Sequence, residues 1–371
     1  MKTFFHLVQE VQKPGLCHRC GGCVTFCTAI NYGALELDEE GKPRYAEMEK
    51  CIECGLCYAI CPEINEFEEE TKRLVAWSAP MGRVIETSVL RALDARIRET
   101  ATDGGAVTAL LVHLFDTGRI DGAVVTRQIN PYQREPFLAR TRQEILDSAG
   151  FHIDTSPGMK RFSDRYLTYA SIQELQPLMT KGLRRVAFVG TPCQIKAIRK
   201  MQAMEIVPAE SIAYCLGLFC SGNFLFGPGQ RQELADAGGF SWDNVRKMNI
   251  KEGFQVHLHD GQVLSIDLDR LEFMKREACR YCPDYTAEFG DLSFGGLGAE
   301  EGWTTVLART PLGRAILADA RGEALEEFDR GNNPRYASQA FKAALEWSEH
   351  KKARAEDCRQ ELVSPQVRVK E

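Results

Sequence analysis

Cys17, Cys20, Cys23 and Cys27 form a C-x2-C-x2-C-x3-C run, and the run recurs 34 positions later as Cys51, Cys54, Cys57 and Cys61. Three thiolates so closely spaced can wrap three corners of one iron–sulfur cubane, while the fourth of each run reaches the neighbouring cluster. The spacing therefore predicts two [4Fe–4S] clusters, one on Cys17, Cys20, Cys23 and Cys61, the other on Cys51, Cys54, Cys57 and Cys27. Gly21, Gly22 and Gly55 lie between these cysteines, where small residues leave backbone N–H groups free to bond cluster sulfurs. Zinc also takes paired C-x2-C units, but as two pairs separated by a longer loop, which a repeated four-cysteine run does not match. One half departs from the usual pattern: Pro62 follows Cys61, whereas Thr28 follows Cys27.

Six cysteines remain. Cys193 stands in Gly-Thr-Pro-Cys-Gln, after a predicted strand and at a helix start, where free N–H groups and the helix dipole favour a thiolate. Cys279 and Cys282 make a second C-x2-C unit, and Cys220 follows an apolar strand. These four could hold a third cluster. By spacing alone they could equally be buried structural thiols, the usual state of a strand cysteine such as Cys215. Cys358 belongs to no pattern.

Two glycine-rich segments could approach a cofactor. Thr102 to Leu110 opens a helix, and Gly104 and Gly105 there would let a phosphate reach backbone N–H groups at the positive helix end. Asp103 serves equally well as a plain N-cap. Gly290 to Gly298 is either a loop pressed on a cofactor or a series of turns. Lys160-Arg161 could neutralise a pyrophosphate, or simply be solvated. The sequence has no G-x-G-x-x-G fingerprint and no Walker A motif, and its seven histidines have no metal-site spacing. A hydrolase is disfavoured, and no catalytic side chain is assigned.

The elements that must position these residues follow from composition and periodicity. With 44% hydrophobic and 26% charged residues, the chain of 371 residues suits a soluble protein with one small and one large domain. A net charge of −6 argues against a nucleic-acid partner. No apolar run is long enough to span a membrane. Glu10, Gln12 and Lys13 interrupt the N-terminal apolar stretch too early for a signal peptide. Fourteen cysteines without an export signal point to the cytoplasm, where such clusters are ligands rather than disulfides. Apolar periodicity predicts a helix over 105–117, strands over 122–127, 185–189 and 211–220, a helix over 194–204, and a hairpin of 253–259 and 263–268 turning at Asp260-Gly261. The fold class expected is α+β. A ferredoxin-like domain with two [4Fe–4S] clusters occupies 1–72, with the acidic run Glu66–Glu70 as a linker or solvated turn. An α/β domain follows over 73–330, then a charged, peripheral helical tail over 331–371.

The pieces resemble the beta subunit of coenzyme F420 hydrogenase and dehydrogenase. The matching stretches are DGGAVTALL at 103–111, VAFVGTPCQIKAIRK at 186–200, LFCSGN at 218–223, CRYCPDYTAEFGDLSFGGLG at 279–298, and GWTTVLART at 302–310. They span nearly all of 100–320 in the family's order. With the ferredoxin module first, the chain is similar to the electron-input subunit of F420H2 dehydrogenase and to formate dehydrogenase beta subunits. The resemblance implies FAD bound by the larger domain, with Thr102, Gly104, Gly105, Thr108 and Lys160 as contacts. It implies a third [4Fe–4S] cluster on Cys193, Cys220, Cys279 and Cys282. Two departures stand out: Gly-Met-Lys-Arg-Phe replaces the family's Gly-Ser-Lys-Tyr around Lys160, and Asp103 stands where relatives often carry Ser.

The implied activity is that of an oxidoreductase subunit. Coenzyme F420, a deazaflavin, carries hydride, clusters carry single electrons, and FAD between them exchanges both. The implied partners are subunits of a redox complex of the hydrogenase, formate dehydrogenase, heterodisulfide reductase or membrane dehydrogenase type. The protein would be cytoplasmic or peripheral to a membrane complex. The alternatives are a ferredoxin-dependent flavin reductase acting on a tetrapyrrole or NAD(P)H, and a non-catalytic electron-transfer adaptor.

Overall fold

The cysteine repeat is also a conformational repeat. In the computed structural model, which describes residues 1–29, 32–38, 41–130, 133–150, 183–206, 209–250, 253–328 and 335–363, Arg19 and Gly21 adopt left-handed backbone angles, and Glu53 and Gly55 do the same 34 positions on. Each pair turns the chain back on itself within a cysteine run. Short helices Gly22–Ala29 and Leu56–Ala59 follow the two turns. Between them, β1 (Leu35–Leu37) and β2 (Pro43–Tyr45) form an antiparallel pair. Phe4, Leu7, Val11, Val24, Leu35 and Tyr58 give this region a core of its own.

The acidic run is not a linker. Glu68–Leu74 is a helix whose first turn holds Glu68, Glu69 and Glu70, where carboxylates complement the helix dipole. It packs against the helix Pro192–Ala203, with Glu68 2.9 Å from Lys196. The run looks solvated in the sequence because its partner lies far along the chain.

The larger region is built on an eight-stranded mixed sheet of order β13-β3-β12-β11-β7-β6-β4-β5. The strands are β3 (Glu86–Ala92), β4 (Gly122–Asn130), β5 (Gln133–Ala139), β6 (Val186–Gly190), β7 (Ile212–Leu218), β11 (Leu292–Gly295), β12 (Thr304–Ala308) and β13 (Leu325–Glu327). The central four, β4, β6, β7 and β11, are parallel. They read as continuous apolar runs because both faces are covered. Val124, Phe188 and Cys215 face the layer of Ile195, Ile198 and Met201 on the Pro192–Ala203 helix. Val125, Ala187 and Leu216 face the layer of helices Ala106–Asp116 and Pro311–Ala320. Phe26 and Ile60 of the N-terminal region join the first layer, which docks that region on the sheet's helix.

Asp291 fastens the central strands. Its carboxylate accepts the Cys215 N–H at 2.8 Å and the Thr310 hydroxyl at 2.7 Å, and pairs with the buried Arg199 guanidinium at 2.8 Å. A second sheet, β8 (Val245–Ile250), β9 (Phe254–Leu258) and β10 (Val263–Ile266), contains the hairpin expected from Asp260-Gly261.

The C-terminal tail is helical but not peripheral. The helix Tyr336–Val363 packs on β3 and β12, and Ala340, Ala344, Ser348, Lys351 and Ala355 are buried along one face. Small residues on that face let the helix lie close, and its many charges sit on the others. Among the described residues no helix is long and apolar enough to cross a membrane.

Candidate functional site

Two cavities in the N-terminal region are each walled by four cysteines. Cys17, Cys20, Cys23 and Cys61 line one. Cys27, Cys51, Cys54 and Cys57 line another. Each set takes three cysteines from one run and the last cysteine of the other run. Burial pushes the Cys20, Cys23, Cys27, Cys57 and Cys61 thiols up, Cys20 to about 11 and Cys57 to about 12. An enclosed cationic body would reverse that by supplying the charge that buried thiolates need.

The larger region adds a third group. In a parallel sheet, ligands gather outside the carboxyl ends of the strands. Cys193 follows β6 and Cys220 follows β7, so the topology delivers both to that edge. The segment before β11 brings Cys279 and Cys282 to the same place. Cys220 lies within electrostatic reach of Cys279 and Cys282, and Cys193 within reach of Cys20, Cys282 and Cys220. All four are held by local contacts. The Asn223 N–H donates to Cys279 Sγ at 3.3 Å, Thr191 Oγ1 is 3.3 Å from Cys193 Sγ, and Cys282 Sγ is 3.7 Å from the Asp284 carbonyl. The Cys220 backbone N–H donates to the Tyr285 carbonyl at 2.8 Å. Cys215 stays apart, buried in β7 beside Arg199 and Asp291. Cys358 is near Tyr281.

Charges around this group differ from site to site. Burial drives the Cys220 thiol up to about 12. Burial also acts on Cys279, but the hydrogen bond from His18, the charge of Arg276 and the Asn223 N–H outweigh it and bring that thiol down to about 7. His18 thus links the N-terminal region to the third cysteine group. Its Nε2 is 2.6 Å from Glu63, which also accepts from Arg359 at 2.6 Å, and its carbonyl accepts from Arg276 at 2.6 Å.

A cleft open to solvent reaches Cys220. One wall is the carboxyl edge of the sheet, including Thr191, Phe219, Gly295 and Gly296. Asn249 and Ile250 of β8 form the opposite side. Thr102, Gly105 and Thr108 line it, at the start of the Ala106–Asp116 helix. Gly105 is the N-cap residue of that helix, with φ of 73°. Asp103 therefore is not the cap; its carboxylate accepts from Asn249 at 3.3 Å beside Gly296. Gly104 is not brought to the lining. Its N–H donates to Thr304 at 3.0 Å, and a Cβ there would lie 2.7 Å from the Leu90 carbonyl. Lys160 lies outside the described residues.

Several lining and supporting residues escape sequence reasoning. Tyr285 and Asn223 line the cleft, yet single polar residues near a cysteine motif carry no periodic signal. Lys351 reaches the Cys220 carbonyl at 2.5 Å from a helix far along the chain. The one available hint is its place on a face of Ala344, Ser348 and Ala355.

Comparison with known proteins gives a consistent result. The family model for the coenzyme F420 hydrogenase/dehydrogenase beta subunit matches in two parts, the N-terminal part over 88–162 and the C-terminal part over 183–332. A 4Fe-4S dicluster domain matches 9–62, and a 4Fe-4S single cluster domain of ferredoxin I matches 47–95. The chain is 32% identical to the beta subunit of a coenzyme F420 hydrogenase of Methanosarcina barkeri, over 67% of this chain and 82% of that one. It is 27% identical to a subunit of the F(420)H(2) dehydrogenase of Methanosarcina mazei, over 85% of each. Among solved structures, a chain of the F420-reducing [NiFe] hydrogenase complex of Methanosarcina barkeri matches with a TM-score of 0.62 and 27% identity, covering 77% of this chain and 94% of that one.

Proposed function

The chain belongs to the family of coenzyme F420 hydrogenase/dehydrogenase beta subunits, and we propose that it exchanges hydride between a deazaflavin coenzyme and bound FAD, and single electrons with a partner redox complex. It is an iron–sulfur electron-transfer subunit of an F420-dependent oxidoreductase family. The observation that carries the finer reading is continuity. Cys220 belongs to both the cleft and the third cysteine group, and Cys193 of that group lies within electrostatic reach of Cys20 of the first cavity.

In this reading Cys17, Cys20, Cys23 and Cys61 hold one cluster, and Cys51, Cys54, Cys57 and Cys27 a second. Cys193, Cys220, Cys279 and Cys282 hold a third, and the cleft at Thr102, Gly105 and Thr108 holds FAD. When bound, FAD supplies exchange between hydride and single electrons, and clusters supply one-electron carriage. The chain's own residues prepare these places. Deprotonation of buried thiols accompanies metal binding, and Cys279 needs the least help because His18 already favours its thiolate. Gly105 takes a left-handed turn that opens the helix N-terminus to an anionic group. Tyr285 and Phe219, with ring centroids 5.5 Å apart, wall the cleft together with Cys220.

The test is anaerobic mixing of purified flavin-loaded protein with reduced F420, following the flavin absorbance. Bleaching is expected. Bleaching by NADPH or NADH alone would replace the donor, and a flavin that no soluble donor bleaches would favour an electron-transfer adaptor.

A further inference from the structure

We propose that Lys351, on the C-terminal helix, is a positioning residue and the fixed counter-charge of the Cys193, Cys220, Cys279 and Cys282 group, so that this helix is part of the redox site. The proposal rests on the reading that those four cysteines hold a [4Fe–4S] cluster. The helix lies beyond residue 332, where the match to the family of beta subunits ends.

Lys351 is 3% exposed. Its Nζ donates to the Cys220 carbonyl at 2.5 Å and to the Asp284 carbonyl at 2.8 Å. Each of those residues is within two positions of a cysteine of the group or is one itself. Among the described residues it forms no ion pair with a carboxylate. A buried ammonium without a partner costs several kcal/mol, so an opposite charge must lie close. The charges that act on Lys351 are Cys282, Cys220 and Cys279, followed by Asp284. Once they ligate a cluster, those cysteines are the thiolates that answer its charge, and it answers theirs.

The neighbouring contacts hold Lys351 in register. One turn before it, Trp347 stacks on Tyr285 with ring centroids 6.0 Å apart. Next to it, Lys352 pairs with Glu288 at 2.6 Å. Two turns on, Arg359 donates to the Tyr281 carbonyl at 3.0 Å. All three partners flank Cys282 in sequence. The helix thus straps the 279–288 segment and carries its cation to the middle of it.

A fixed positive charge favours the more negative, reduced form of a cluster, which raises its reduction potential. Other residues contribute: His18 and Arg276 act on Cys279. Lys351 differs in acting on Cys220 and Cys282 as well.

The experiment is potentiometric titration with electron paramagnetic resonance detection, plus an iron count, on the full chain and on Lys351→Gln, Lys351→Met and Lys351→Arg. The wild type is expected to hold about twelve irons, three clusters of four. Lys351→Gln and Lys351→Met are expected to lower the potential of one cluster signal and leave the other two in place, and Lys351→Arg to restore it. If Lys351→Gln loses about four irons, recovery of the full count in Lys351→Arg supports the role of charge. Loss in Lys351→Arg as well overturns it in favour of packing alone. With a full iron count, unmoved potentials in Lys351→Gln overturn the proposal and leave the third cluster standing. A wild type with about eight irons overturns both.

Discussion

At the scale of single residues, chemistry is decided by which of fourteen cysteines share a neighbourhood. Cys215 and Cys220 are five positions apart, yet Cys215 is in the sheet interior beside Asp291 and Cys220 is past the strand end beside Cys279 and Cys282. Cys220→Ser should cost about four irons, one cluster. Cys215→Ser should retain the full iron count and lose only stability, on the order of 1–3 kcal/mol for burying a hydroxyl without a ready partner. Iron analysis and thermal melts of both variants check this, and equal iron loss in the two would contradict the assignment. The eight N-terminal ligand candidates were legible from spacing alone, because one turn of chain is enough to set three of them. Gly104 shows the opposite case. Its glycine signature is real, but the close approach it permits is to the Leu90 carbonyl and not to a ligand.

At the scale of elements, the central strands stand or fall with polar groups that no periodicity reveals. Removing the Asp291 carboxylate leaves Arg199 buried without its pair and the Cys215 N–H without an acceptor. Asp291→Ala should therefore destabilise by roughly 3–5 kcal/mol, read from denaturant unfolding. At the sheet's rim, Asp121 accepts from the Arg184 and Arg185 N–H groups and pairs with the Arg185 side chain at 2.8 Å. Partial burial raises its pKa, but these partners outweigh that and hold it below the ordinary 3.8. The folded carboxyl holds its proton less tightly than the unfolded chain does. Its contribution is thus complete above pH 3.8 and is lost as the pH falls through the lower folded value. Asp121→Asn should cost about 1 kcal/mol or less at neutral pH, since the site is partly solvated. The gap to wild type in unfolding midpoints should close in acid. Strands β4, β6 and β7 and the Ala106–Asp116 and Pro192–Ala203 helices were readable because their apolar runs are continuous, whereas the flanking strands β3, β5, β12 and β13 were not read. The Glu68–Leu74 helix and the buried face of Tyr336–Val363 were not, since each is charge-rich and acquires its burial from a distant partner.

At the scale of the molecule, the question is how the N-terminal region is joined to the rest. Lys200, fully buried on the Pro192–Ala203 helix, donates to the carbonyls of Ala59, Cys61 and Ile64. Lys200→Met should leave those carbonyls unsatisfied, at a cost of roughly 1–3 kcal/mol. The joint should loosen before the sheet does. Limited proteolysis is expected to cut the chain between 62 and 86 faster than in wild type, with unfolding of the larger region little changed. Unchanged cleavage would show that Phe26 and Ile60 hold the docking without it.

The sequence by itself determined the cysteine repeat, the central strands β4, β6 and β7, the hairpin of β9 and β10, and the Ala106–Asp116 and Pro192–Ala203 helices, because each is written in spacings of a few residues that local geometry must obey. It also carried the family resemblance, through motifs that lie within single loops and strand ends. Only the tertiary structure decided what stands next to what. The nearness of Cys193 to Cys20, the reach of the cleft to Cys220 and the arrival of Lys351 all depend on elements far apart in the chain. The physical reason is that burial and electrostatic neighbourhood come from packing, and no local spacing records which distant surface will cover a given thiol.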